Sequence, residues 1–405
     1  MPIQQTAGEL IPSLREYQRR FLFAGAAGGA VSLVGWWINP AQFFQSYLMG
    51  YMFALGISLG CLALGMIHQL SGGEWGVLIR RPIGAASRVL PVLTVLFLPI
   101  AFGMPHLYEW THADVVAADE VLRHKQLYLN TPFFLVRAAF YFLVWNGFSY
   151  LLNTWSLEQD RTGDTRIPRL MQVTSGGGLV AYGLTITFAS FDWLMSLEPH
   201  WFSTIYGVLV IGGQGLTGMA FLIATIVWLS RRPPLNQVVV PSHLHDLGNL
   251  LLAFVMLWAY FSFSQYLIIW SGNLPEEIAW YVHRLQTGWR FLALVLVLFH
   301  FAVPFSLLLS RAVKREGQML VKVAAVILAV RLIDLFWLIA PEFHRTGIVV
   351  SWMDVVLPLS LGSIWIGCFI WQLRGRAILP FHDPQFGEAV GRLLDRIEER
   401  PRPAQ

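Results

Sequence analysis

Residues 188–207 read FASFDWLMSLEPHWFSTIYG, and a long apolar run flanks them on each side. A short polar break between two such runs marks where one membrane span ends and the next begins. This break carries Asp192, Glu198 and His200 beside Trp193, Trp201 and Tyr206. Indole rings favour the headgroup zone, so Trp193 and Trp201 fix the turn at a bilayer interface. Carboxylates and an imidazole at the mouth of a helix pair suit proton exchange or a quinone headgroup. A plainer reading is an interfacial turn in which Pro199 opens the next helix and Glu198 favours that helix's positive N-terminus.

The rest of the chain agrees with the membrane reading. Of its 405 residues 56% are hydrophobic and 13% charged, with 17 Trp and 28 Phe. Soluble domains carry about 25% charged residues, so the composition is that of an integral membrane protein. Open strands cannot cross a bilayer with their backbone groups unpaired, which leaves helices. About ten spans of roughly 20 residues are expected. They fall near 21–38, 43–70, 89–104, 131–156, 171–191, 202–230, 247–270, 289–311, 318–340 and 351–373. The third is short, and the second and sixth are long, which predicts tilt or extension beyond the lipid. No cleavable signal is expected, because the polar start leads through Arg19 and Arg20 straight into the first span.

Basic residues alternate with the spans. Arg15, Arg19 and Arg20 precede the first; Arg80, Arg81 and Arg88 follow the second; Arg161, Arg166 and Arg169 follow the fourth. Arg231 and Arg232 follow the sixth, and Arg311, Lys314 and Arg315 the eighth. The tail adds Arg374, Arg376, Arg392, Arg396, Arg400 and Arg402. With ten spans all of these share one side, while the opposite loops hold Arg123, Lys125, Arg284 and Arg345. The asymmetry predicts both termini in the cytoplasm, and it makes the net charge of +4 a topology signal rather than a nucleic-acid footprint.

The opposite face is expected to be elaborated for docking a soluble partner. Residues 105–130 form an acidic, partly helical segment with His106, His112 and His124. Residues 271–288 read as a surface helix in which Asn273 is the N-cap, Glu276 completes a capping box and Pro275 lies in the first turn. In the tail, 384–400 places Phe386, Ala389, Val390, Leu393, Leu394 and Ile397 on one helical face, suited to a membrane surface or a neighbouring subunit. Glycines recur in the second span (Gly50, Gly56, Gly60) and the sixth (Gly207, Gly213, Gly215). They favour close helix packing and hint at a pair of four-helix bundles, spans two to five and six to nine.

Ionisable residues inside spans carry the chemistry, since each is costly in lipid unless paired or watered. Arg137 lies in the fourth span, His300 in the eighth, and Arg331 and Asp334 in the ninth, three residues apart on one helix face. Lys322 can snorkel from the ninth span, and His68, His243, His245 and Asp246 lie at the cytoplasmic side. These residues are candidate stations for a proton path, or hydrogen-bonded locks of the bundle. His300 is the one histidine placed deep in a span, so no bis-histidine haem site is expected. Cys61 and Cys368 form no metal-ligand motif, and no phosphate loop or hydrolase triad is present.

Four segments resemble a known family: DWLMSLEPHWFSTIYG (192–207), AYFSFSQYLIIWSGNLPEEIAWYVHR (259–284), KQLYLNTPFFLVRAAFYFLVW (125–145) and GGEWGVLIRRP (72–82). They are similar to the F subunit, the smaller of two ten-span subunits, of bacterial alternative complex III. That complex is a quinol:electron-acceptor oxidoreductase, and the subunit belongs to the polysulfide-reductase membrane-subunit superfamily. The resemblance implies an all-α integral membrane protein with two four-helix bundles, 43–191 and 202–340. The first and last spans flank them, and a cytoplasmic tail occupies 374–405. It implies no redox cofactor on this chain, menaquinol or ubiquinol as the substrate of the complex, and iron–sulfur clusters and c-type haems in partner subunits. The implied partners are an iron–sulfur subunit, multihaem cytochrome c subunits, a sister ten-helix quinol-binding subunit and lipid, in a bacterial inner membrane. The expected role is scaffold and proton path through Arg137, His245, Asp246, His300, Arg331 and Asp334. The alternatives are direct quinone binding at Asp192, Glu198 and His200, and a secondary transporter coupled through Arg331 and Asp334.

Overall fold

The apolar runs fold as helices, and the computed structural model describes residues 10–232 and 235–374. Ten helices among the described residues are long and apolar enough to cross a membrane. They are α1 (Leu14–Ile38), α2 (Pro40–Ser71), α3 (Arg80–Phe102), α4 (Thr131–Thr162), α5 (Arg166–Leu197), α6 (Tyr206–Leu229), α7 (Pro241–Gly272), α8 (Arg290–Leu309), α9 (Gly317–Phe343) and α10 (Met353–Arg374). The described residues include no strand. The expected tail helix over 384–400 lies outside them.

The lengths depart from expectation in informative ways. Helices α2, α4, α5 and α7 each run 32 residues, about 48 Å at 1.5 Å per residue. That exceeds the ~30 Å of a hydrocarbon core. Helix α6 has 24 residues and is not long. It starts late because Pro199 sits in a turn and opens no helix; residues 201–203 carry no regular structure before α6 begins at Tyr206. The Trp201 indole fixes that turn by donating to the Glu277 carbonyl at 3.0 Å. Helix α3 is segmented into Arg80–Ser87, Leu90–Val95 and Leu98–Phe102. Pro91 and Pro99 stand in the first turns of the second and third pieces, where a missing N–H costs least.

Helices α2 and α6 form the centre. In each, 83% of the most apolar window is buried, against 17–56% for the others. Helix α2 touches α1, α3, α5, α6, α9 and α10; α6 touches α2, α5, α7 and α9. Helix α4 packs on α3 and α5, α8 packs on α7 and α9, and α1 runs along α10. Glycine makes the central crossing possible. A Cβ on Gly60 would fall 2.0 Å from the Gln214 carbonyl oxygen, and one on Gly218 would fall 2.9 Å from the Gly60 backbone.

The two ends differ in chemistry. At the basic end, Arg81 pairs with Asp160, Arg80 donates to Gln159, and Arg374 donates to Gln18. There Arg232 lies over the Trp228 and Tyr17 rings. At the loop-rich end, short helices Met104–Leu107, Ala113–Ala118, Glu120–Lys125 and Pro275–Gln286 cover the helix ends. Asn273 is not the N-cap of Pro275–Gln286. It takes the left-handed conformation (φ 48°) as C-cap of α7, and Leu274 stands at the N-cap without a side-chain bond. Asparagine tolerates that conformation better than most residues, so it serves the longer helix's exit.

Candidate functional site

Asp192, Glu198 and His200 are neighbours in sequence, yet each takes a different partner. Asp192 lies in the last helical turn before Leu194 and is fully buried. Arg137 of α4 grips it with two parallel bonds, Nε to Oδ2 and Nη2 to Oδ1, both 2.8 Å. The Tyr141 hydroxyl donates to Oδ2 at 2.8 Å, and Arg137 Nη1 donates to the Tyr128 carbonyl at 2.9 Å. The guanidinium also lies 3.9 Å from the centre of the Tyr128 ring and 4.3 Å from that of Phe133. Three Arg137 N–H groups and both Asp192 oxygens are engaged, which is the pattern of a bidentate lock.

His200 belongs to the surface. It bonds Asp119 at 2.6 Å, and Asp119 also accepts the Leu122 N–H as N-cap of the helix Glu120–Lys125. The Leu122 N–H first, then His200, hold the Asp119 carboxyl below its usual range. Lys125 closes the same latch by donating to the Pro199 carbonyl at 2.5 Å. Partial burial pulls the Lys125 ammonium down from its ordinary value.

Glu198 turns toward the helix Pro275–Gln286. It forms an ion pair with Arg284 at 3.5 Å and lies 3.8 Å from the His283 ring, and its Oε2 has no hydrogen bond. Arg284 is 2% exposed. Its guanidinium donates to the Trp280, Leu338 and Trp337 carbonyls at 3.2, 3.3 and 3.4 Å, and stacks 3.7 Å above the Trp280 ring. Burial lowers the Arg284 pKa and Glu198 opposes that shift; arginine's basicity leaves it a cation at neutral pH. Sequence reading gave Arg284 only a topological role, because nothing local ties it to Glu198.

A second buried cluster lies among α6 to α9. Arg331 and Asp334 pair one turn apart on α9, both almost fully enclosed. The Trp258 indole of α7 donates to Asp334 Oδ2 at 3.2 Å. His300 of α8 meets the Trp258 ring edge-on with centres 4.4 Å apart. It is completely buried, and neither ring nitrogen has a hydrogen-bond partner. It also sits in a π-helical stretch, Leu296–Ala302. Such bulges release local backbone bonds and recur at functional positions. Gly213 of α6 makes room for the guanidinium: a Cβ there would fall 2.4 Å from Arg331 Cζ. Tyr206, at the start of α6, is within electrostatic reach of both Arg331–Asp334 and Arg284–Glu198.

The basic end holds a separate string. His245 approaches Asp246 at 3.7 Å and Asn249 at 3.3 Å, and Lys314 donates to Asn249 at 2.7 Å. About 13 Å of helix axis separates Asn249 from Trp258 on α7, with buried Leu251 and Val255 between. The fold therefore joins Arg331, Asp334 and His300, keeps His245 and Asp246 together one step away, and sets Arg137 in the other half with Asp192. Among the described residues, no group of three or more His, Cys, Asp or Glu side chains is arranged to hold a metal ion.

No family model matches the chain. No curated protein matches it either.

Proposed function

We propose that this chain is a multi-pass membrane subunit of a quinol-oxidising electron-transfer complex of the alternative complex III type. In it the chain serves as scaffold and carries a proton route through its second half. The helix contacts support the architecture. Contacts run in a closed ring α2–α3–α4–α5–α2 and again α6–α7–α8–α9–α6, with α2 and α6 at the seam. That is the pattern of two like four-helix bundles, with α1 and α10 packed outside. The charge asymmetry supports an orientation with the basic end and both termini in the cytoplasm, and the bacterial inner membrane rests on the resemblance alone.

One observation carries the functional reading. Arg331, Asp334, Trp258 and His300 form a buried polar cluster in which neither His300 ring nitrogen has a hydrogen bond. Arg137 and Asp192 bond each other through both carboxylate oxygens, whereas His300 bonds through neither ring nitrogen, and burying an unpaired imidazole is costly. From the periplasmic side the route runs through Glu198, Tyr206 and Asp334. From the cytoplasmic side it runs through Asp246, His245, Asn249 and Lys314. Water, or a shift of the π-helical stretch, would bridge the apolar interval.

Affinity purification of the full chain from its own membranes tests the assembly. Blue-native electrophoresis should give one large band that stains for haem, supplied by c-type cytochrome partners. A haem-free band at the mass of the chain would instead favour a transporter acting alone.

A further inference from the structure

The first and last spans meet at the basic end around an open groove of about 860 Å³. Arg15, Arg19 and Arg20 of α1 and Arg374 of α10 line it, together with Glu16, Leu22 and Phe23. Close helix contact holds its two walls in register. Leu22 packs over Gly367, where a Cβ would fall 2.6 Å from the Leu22 side chain, and the Ser360 hydroxyl donates to the Gly25 carbonyl at 2.7 Å. Arg374 reaches back across the junction and donates to Gln18.

The groove has a surplus of positive charge. Four arginines face one glutamate, and Arg20 takes that glutamate at 2.5 Å, one turn away. Among the described residues, Arg15 and Arg19 form no ion pair. They stand four residues apart on one helix face, a spacing at which like charges repel. The adjoining tail brings no surplus of negative charge, because residues 375–405 carry five arginines and five carboxylates. An anion seated between Arg15, Arg19 and Arg374 would relieve the repulsion, and guanidinium groups bind phosphate with paired hydrogen bonds.

The surroundings select the source of that anion. The arginines lie where α1 and α10 leave the apolar belt, the level of lipid phosphates, and basic pockets between spans suit anionic headgroups. Leu22 and Phe23 stand about one turn deeper, and Phe23 is 78% exposed. Ala26, Ala27 and Ala30 continue the exposed face beneath Phe23. Their small side chains leave a shallow furrow suited to an acyl chain. A free anion would use the arginines and leave this face idle. One phosphate also falls short of the charge surplus, and two come closer to it. We propose that the groove binds a phospholipid with two phosphates, of the cardiolipin type. Its phosphates sit on Arg15, Arg19 and Arg374, and its chains run along Phe23 and the α1 alanines. The site takes no part in the proton route and stands independently of the quinol reading.

Native mass spectrometry of the delipidated full chain counts bound lipids singly and tests the site. The first tetraoleoyl cardiolipin should bind saturably. Dioleoyl phosphatidylglycerol should need about fivefold more or above, the worth of one forfeited arginine contact. Pyrophosphate, which has the charge without the chains, should not displace cardiolipin at roughly hundredfold excess. Arg15→Gln with Arg19→Gln should raise half-saturation about thirtyfold. Arg161→Gln with Arg169→Gln removes the same charge from exposed positions on α4 and α5, and should bind as wild type does. Size-exclusion profiles report folding, and the phosphatidylglycerol and pyrophosphate arms use wild type alone, so they decide even where a variant misfolds. A first cardiolipin that does not saturate, equal binding of phosphatidylglycerol, or displacement by pyrophosphate would each overturn the proposal. So would a folded groove variant that binds as wild type does, or an equal loss in the α4–α5 variant.

Discussion

Substituting Asp192 should be among the most damaging single changes in the chain, and the damage should be reversible by a second change. The carboxylate is wholly buried and takes three hydrogen bonds, two from Arg137 and one from Tyr141. Asp192→Asn keeps the volume and leaves the Arg137 cation buried without a counter-charge. Breaking a buried pair in this way costs roughly 3–5 kcal/mol. Arg137 also stacks on Tyr128 and Phe133 and donates to a carbonyl, which favours the lower end of that range. Tyr141→Phe removes one bond to a charged acceptor, about 1.5–3 kcal/mol. Arg137→Met with Asp192→Leu removes both charges at similar volume. Its loss should be about 1–3 kcal/mol, from the Tyr141 hydroxyl and the Tyr128 carbonyl left without partners. Reversible unfolding in mixed SDS micelles, followed by tryptophan fluorescence, measures all four proteins. The lock reading fails if Asp192→Asn lies within about 1 kcal/mol of wild type, or if the double variant is no more stable than Asp192→Asn.

Other expectations follow from single contacts. Gly60→Ala should destabilise by about 1–3 kcal/mol in the same assay, because its Cβ would overlap the Gln214 carbonyl where α2 and α6 cross; an unchanged midpoint would mean that the crossing is looser than described. The Asp119 carboxyl titrates below its ordinary value in the folded chain, so the latch it forms is complete above about pH 4 and is lost as pH falls through that depressed value. Hydrogen exchange in the helix Glu120–Lys125 should therefore stay constant from neutral pH to about 5 after correction for intrinsic rates, and rise only at lower pH. Asp119→Asn should abolish that rise, and a transition centred near neutral pH would point to another group. Reporter fusions after Arg88, Arg169, Arg232 and Lys314 should all report the cytoplasm, and one external signal would break the assigned topology.

The sequence made the helices legible because long apolar runs and alternating basic residues leave few alternatives. It also made the Arg331–Asp334 pair legible, since three-residue spacing on one helix puts both side chains on one face. What it could not show were contacts between distant segments. Nothing in a single sequence ties Arg137 to Asp192 rather than to Glu198 six residues later, or sends Glu198 to Arg284. The late start of α6 was hidden for the same reason. A proline after a glutamate reads locally as a helix start, yet the Trp201–Glu277 bond, which needs the second segment in place, holds this turn open. Asn273 misled in a similar way, because asparagine suits both an N-cap and a left-handed exit and only the helix before it decides. The groove between Arg15, Arg19 and Arg374 was illegible as a site, since it needs the first and last spans side by side.

The proton route is tested most directly by Arg331→Met with Asp334→Leu in the assembled complex, reconstituted in proteoliposomes. Removing both charges avoids the unpaired-ion penalty, so assembly should be close to normal. Neither side chain that replaces the pair can carry a proton. The ratio to follow is protons released per quinol oxidised, from a pH-sensitive dye read beside acceptor reduction. A lower ratio in the double variant than in wild type is the result expected of a proton station. An unchanged ratio in a fully assembled double variant would contradict the route and leave this chain a scaffold.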